Sequence, residues 1–166
     1  MSRKAGILEG LGGIVPGLRR YARALVAGAG QALSDELVQS ALQSVGTRVR
    51  ARELRPADLD EARIEAYAAL TACAAKRLGP APRPAPRDPL VVQSLAELGF
   101  DDRAALLLVS LEGFGYDAAA RIVGAPRATL LARLMRARAA LAADGLRPPG
   151  VDAGARRASA HLRVVK

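Results

Sequence analysis

Apolar residues recur at helical spacing along most of the chain. Leu18, Tyr21, Ala22 and Leu25 share one face of a first helix and leave Arg19, Arg20 and Arg23 toward its other sides. A second helix is expected to open near Ser34 as an N-cap, with Leu37, Val38, Ala41, Leu42 and Val45 on one stripe. Asp35, Glu36, Gln39 and Gln43 then lie outside that stripe, and Gly46 serves as the stop. A third helix starting near Asp60 lines up Ile64, Tyr67, Thr71, Ala74 and Leu78 and ends in Lys76 and Arg77, where cations suit a helix C-terminus. Further on come a short helix over 90–98 and one from about Asp102, as its cap, to Leu111. The stretch GYDAAARIVGAPRATLLARLMRARAAL, 115–141, reads as two helices broken at Gly124, Ala125 and Pro126.

The fold class predicted is all-α, in two small helical domains. Between them stands GPAPRPAPRDP, 79–89, which holds five of the ten prolines of the chain. Alternating proline favours an extended, semi-rigid linker of ~3.1 Å per residue. The expected division is therefore an N-terminal domain over 1–78, a linker over 79–89, a C-terminal helix-turn-helix domain over 90–145 and a flexible basic tail over 146–166. A 51% hydrophobic content is ample for burying a core, and only 3% aromatics with no Trp point to helix faces as the packing surfaces.

Charge sharpens the picture of the C-terminal part. Up to Ala120 there are 15 Lys and Arg against 14 Asp and Glu, and from Arg121 onward 10 against 2, so nearly all of the net charge of +9 sits in the last quarter. Such a skew suggests a polyanionic partner, nucleic acid before membrane. In the last predicted helix Leu130, Leu134, Ala137 and Leu141 form the core face toward the helix that carries Ile122 and Val123. Arg133 and Arg138 flank this face, Thr129 and Arg136 sit further round, and Ala128, Ala132 and Met135 stand opposite, with Leu131 beside them. Arginines on the flanks suit phosphates. The groove-facing side is apolar: it can meet a thymine methyl but has no bidentate donors for base reading.

Several chemistries are disfavoured. Cys73 is the only cysteine and sits in an Ala-rich helical run, so it reads as a small buried hydrophobe and no disulfide forms within the chain. His161 is the only histidine and lies in the basic tail. No triad, metal centre or cofactor motif is therefore expected, and the chain is read as a non-enzyme. The N-terminal MSRKAGILEGLGGIVPG is a poor signal peptide, no run approaches the ~20 apolar residues of a membrane span, and a cytoplasmic location is expected.

The segment LLLVSLEGFGYDAAARIVGAPRATLLARLMRARAAL resembles the C-terminal domain of bacterial sigma factors of the extracytoplasmic-function class. The resemblance rests on Leu111, Glu112, Gly113, Phe114, Tyr116, Gly124, Pro126, Thr129, Arg133, Leu134, Arg136, Ala137 and Arg138, and covers roughly 90–142. A weaker likeness to the N-terminal domain of the family spans roughly 15–78, through LRRYARAL and SDELVQSAL. The resemblance implies a transcription initiation protein that binds core RNA polymerase and promoter DNA. It implies DNA contacts from Arg127, Thr129, Arg133, Arg136 and Arg138, and polymerase contacts from Asp35, Leu37, Val38 and Gln39. An anti-sigma factor is a further partner that the family suggests. Two departures stand out. Leu131 and Ala132 replace the polar pair usual in the recognition helix, and the third helix lacks the Trp and the Arg-Asn pair expected for strand opening. The same departures are similar to sigma-factor mimics, which keep the sigma fold to sequester an anti-sigma factor; that is the alternative function.

Overall fold

A computed structural model describes residues 3–54, 56, 58–78, 87–143 and 145. Residues 79–86, which make up most of the Pro-rich segment, and the basic tail from 146 with His161 lie outside the described residues. The described residues form only helices and turns: α1 (Arg3–Val26), α2 (Gln31–Arg50), α3 (Leu59–Arg77), α4 (Leu90–Glu97), α5 (Phe100–Ser110), α6 (Tyr116–Val123) and α7 (Arg127–Ala143).

The expected stripes become the core. Leu18, Tyr21, Ala22 and Leu25 of α1, Leu37, Val38 and Ala41 of α2, and Tyr67, Leu70 and Ala74 of α3 are buried together. Into the same cluster come Ala104, Ala105, Leu107 and Leu108 of α5, Phe114 of the following turn, Ala119 and Ile122 of α6, and Leu130 of α7. Helices α3 and α6 pack side by side, and α1 lies against α5 and the end of α4. Residues from both sides of the Pro-rich segment thus meet in one buried cluster.

Element boundaries differ from the sequence reading in three places. Ser34 is not the N-cap of α2, which begins at Gln31 after Gly30 at φ 92°. Ser34 is buried within the helix and its Oγ donates to the Gln31 carbonyl at 2.7 Å, so the hydroxyl is satisfied by its own preceding turn. Gly46 does not stop α2 either, because Val49 is buried with Val45 and Ala62 and carries the helix another turn. The chain leaves α2 at Arg52, which adopts φ 62° while the Glu53 N–H donates to the Arg48 carbonyl. In α5 the N-cap is Gly99, and Asp101 and Asp102 fall in the first turn, where carboxylates suit the positive end of the helix dipole. For α3 the cap is Asp58, whose side chain accepts from the Glu61 N–H at 2.8 Å.

Arg103 ties the two groups of helices from inside. It is 2% exposed, and its guanidinium donates to the carbonyls of Leu25, Ala96 and Leu98 at 2.7, 3.0 and 2.8 Å. These acceptors lie at the C-terminal ends of α1 and α4, where the helix dipole is negative. Burial lowers the pKa of Arg103, as expected of a cation facing carbonyls without a carboxylate, and its Nε has no partner.

Candidate nucleic-acid and partner interface

The turn between α6 and α7 is built by its residue types. Gly124 takes φ 61° and ψ 36°, left-handed values that favour glycine. The Ala125 N–H then reaches the Ala120 carbonyl at 3.1 Å, closing α6. Pro126 follows where no backbone donor is needed, and its carbonyl accepts the first bond of α7 from Leu130. The result is a helix-turn-helix. Leu130, Leu134 and Ala137 are buried as expected, but their support is divided. Leu130 joins Ile122 in the main core, whereas Leu134 and Ala137 pack with Leu106 of α5 and with Leu98 just beyond α4.

The opposite side of α7 is open. Ala128, Ala132 and Met135 are exposed, Met135 at 72%, and Leu131 is half-buried beside them. Of the five DNA candidates, Arg127, Thr129, Arg136 and Arg138 are exposed and Arg133 is half-buried. Three of the arginines are held by aspartates of the same helical group. Arg133 donates to Asp101 at 2.7 Å, and Arg136 grips Asp102 with two bonds of 3.1 and 2.7 Å. Arg127 donates to both oxygens of Asp117 at 3.0 and 3.2 Å, with its guanidinium 5.7 Å from the Tyr116 ring centroid. The bond to Asp102 holds the pKa of Arg136 above its usual value. Arg138 has no ion-pair partner among the described residues.

The polymerase candidates divide by depth. On α2, Gln39 is exposed and Asp35 is half-exposed, its carboxylate 3.6 Å from Arg19. Leu37 and Val38 are buried in the core. Asp35, Val38 and Gln39 also line a shallow hollow of about 390 Å³ between α1 and α2.

A second constellation escaped the sequence reading. Glu112, in the turn between α5 and α6, is 6% exposed. Its two oxygens take a bidentate pair from Arg20 of α1, both bonds 2.9 Å, and a 2.7 Å bond from the Tyr67 hydroxyl of α3. Arg63 of α3 donates to the Glu112 carbonyl at 2.9 Å and stacks 4.3 Å from the Phe114 ring centroid. Arg121 of α6 meets Glu61 of α3 at 3.4 Å. Burial, then the bond to Glu112, raises the pKa of the Tyr67 hydroxyl, while hydrogen bonding to Glu112 raises that of Arg20. The available signal was an acid inside the LEGF turn, bracketed by Leu111 and Phe114, where a carboxylate entering a core needs partners. Beside this cluster, Pro16, Ala24, Val92, Leu95 and Leu111 floor an open groove of about 590 Å³ between α1 and α4. Arg19, Arg20 and Arg23 line its edge.

Residues 90–141, which hold the helix-turn-helix of α6 and α7, match the family described as Sigma-70, region 4. The fold as a whole is similar to that of the anti-anti-sigma factor PhyR from Bartonella quintana, solved in complex with the anti-sigma factor NepR. That likeness has 21% identity and a TM-score of 0.62 over 81% of this chain and 49% of that one. It is also similar to the sigma factor RpoE from Bartonella quintana in complex with NepR, at 24% identity and a TM-score of 0.52 over 79% of this chain and 91% of that one. The chain spans about half the length of PhyR. No curated protein matches its sequence. The comparisons thus show a region 4 match over residues 90–141 and a fold shared with these sigma-factor and anti-anti-sigma structures. Among the described residues no helix is long and apolar enough to cross a membrane.

Proposed function

We propose that this protein takes part in transcription initiation by binding core RNA polymerase and promoter DNA, without catalysing a bond change or using a cofactor. The observation that carries the reading is the region 4 helix-turn-helix with its arginines on the accessible sides of α7. Arg127, Arg133, Arg136 and Arg138, with Thr129, are the phosphate contacts, and Ala128, Ala132 and Met135 lie toward the groove floor, where they meet thymine methyls. Asp35 and Gln39 offer α2 to the polymerase, with Leu37 and Val38 anchoring that helix from below. The units over 1–78 and 90–145 are read as two helical domains that share the buried cluster and act in the cytoplasm. The test is size-exclusion chromatography with purified core polymerase, followed by fluorescence anisotropy of labelled duplexes with and without it. Co-elution together with duplex binding supports the reading. A protein that neither co-elutes nor binds any duplex at low salt rejects it.

A second reading is favoured by the likeness to PhyR and by the Glu112 cluster, which joins α1, α3 and the α5–α6 turn. In it the chain is a mimic that sequesters an anti-sigma factor. The α1–α4 groove, apolar below and lined by arginines, would take the apolar side of a helical partner with acidic flanks. Binding of purified NepR with no polymerase association would favour this reading over the first.

A further inference from the structure

Two arginines of α7 are held by carboxylates from the first turn of α5. Across residues 90–141 six arginines face five carboxylates, so the region 4 domain is close to neutral although the chain as a whole is at +9. The acids are not scattered. Asp101 and Asp102 occupy the first turn of α5 and point to Arg133 and Arg136, which are three residues apart on α7 and so share a side of that helix. Arg136 engages Asp102 through two parallel bonds, the fork geometry with which a guanidinium also takes a phosphate. Each pair is at the surface: Asp101 is 60% exposed against 18% for Arg133, and Arg136 is 62% exposed against 19% for Asp102. Surface pairs of this kind are weak and exchangeable.

We propose that Asp101 and Asp102 limit the DNA affinity of the helix-turn-helix by holding Arg133 and Arg136 as internal stand-ins for phosphate. This inference rests on the reading that α7 meets DNA. A duplex must displace the carboxylates from the two guanidiniums, or leave those contacts unmade, and in either case it must approach two fixed negative charges. The isolated protein is therefore a weak, sequence-tolerant binder. Stable placement on DNA then requires a second attachment, which core polymerase supplies in the proposed function.

The test is a four-protein cycle of wild type, Asp101→Asn with Asp102→Asn, Arg133→Ala with Arg136→Ala, and all four changes together. Duplex affinity is read by fluorescence anisotropy over a salt series, on AT-rich and mixed-sequence DNA. Asparagine keeps the side-chain size in the first turn of α5. The aspartate change should raise affinity roughly two- to thirtyfold at low salt, to a similar degree on every duplex. The same change should give a clearly smaller gain where Arg133 and Arg136 are absent, since only the repulsion of the two carboxylates is then removed. An equal gain in both backgrounds would mean a general charge effect and would overturn the proposal, as would no gain in the wild-type background; in both cases DNA binding itself stands. Absence of duplex binding by all four proteins, alone and with core polymerase, would remove the DNA reading and this inference with it. Circular dichroism checks the fold, and the single change Asp102→Asn repeats the comparison should the double change lose helicity.

Discussion

A glycine in the middle of a helix is normally a weak point, and replacing it by alanine gains about 0.8–1 kcal/mol. Gly17 of α1 should behave in the opposite way. A Cβ at this position would stand 2.6 Å from the Tyr67 hydroxyl oxygen and 3.3 Å from Glu112 Oε2, the first distance well inside van der Waals contact. Tyr67 has little room to yield, because its ring is packed between Tyr21 at 5.4 Å and Phe114 at 4.9 Å between centroids. Displacing it lengthens the 2.7 Å bond to Glu112, and a hydrogen bond to a charged group contributes roughly 1.5–3 kcal/mol. Overpacking adds a cost of about 1–3 kcal/mol. With the propensity gain subtracted, Gly17→Ala should destabilise the protein by about 1.5–5 kcal/mol. The partner change identifies the cause. In a Tyr67→Phe background the hydroxyl is gone, the ring Cζ at 3.9 Å is an ordinary contact, and Gly17→Ala should cost at least ~1.5 kcal/mol less. Urea unfolding followed by circular dichroism at a helical wavelength gives the four midpoints of this cycle. A stabilised Gly17→Ala protein, or an equal cost in both backgrounds, would refute the reasoning.

Further expectations follow from the same geometry. Burial holds the hydroxyl pKa values of Tyr21 and Tyr67 above the usual ~10, so the folded state keeps protons that the unfolded chain releases. Stability should therefore be complete below that pH and fall as pH rises through it; a urea midpoint unchanged between pH 8 and pH 11, or a Tyr21→Phe protein with the same decline as wild type, would contradict this. Asp35→Ala with Gln39→Ala should weaken co-elution with core polymerase at unchanged helicity, since both side chains are accessible on α2, and undiminished co-elution would remove this edge from the interface. Arg103→Met should lower the unfolding free energy from urea titration by about 3–5 kcal/mol, because three buried carbonyls at the ends of α1 and α4 lose their donor. Limited proteolysis should cut within 79–89 into two helical pieces that stay associated through their shared buried cluster, and a chain resistant across that segment would place the domain boundary elsewhere.

The sequence by itself determined the helices and the face each one buries. A stripe such as Leu18, Tyr21, Ala22 and Leu25, or Leu130, Leu134 and Ala137, has one energetically acceptable direction whatever it packs against, so periodicity suffices to find it. The turn at Gly124 and Pro126 was legible for a similar reason, since left-handed backbone and a missing donor are properties of single residues. Helix ends were less legible. Ser34 and Gly46 carry the right chemistry for caps, but burial of Ser34 and Val49 kept both positions inside α2.

Only the tertiary structure decided which charges cancel. Part of the positive excess counted after Arg121 is offset in space, because Asp101, Asp102 and Asp117 precede it in sequence while they face Arg133, Arg136 and Arg127 in the fold. The same holds for Glu112, which meets Arg20 from 92 positions away. Hydrophobic periodicity is written in neighbouring residues, whereas ion pairing depends on distance in three dimensions and falls off steeply with it. The apolar pattern therefore survives reading along one dimension, and the electrostatic pattern of this protein becomes visible once its helices are packed.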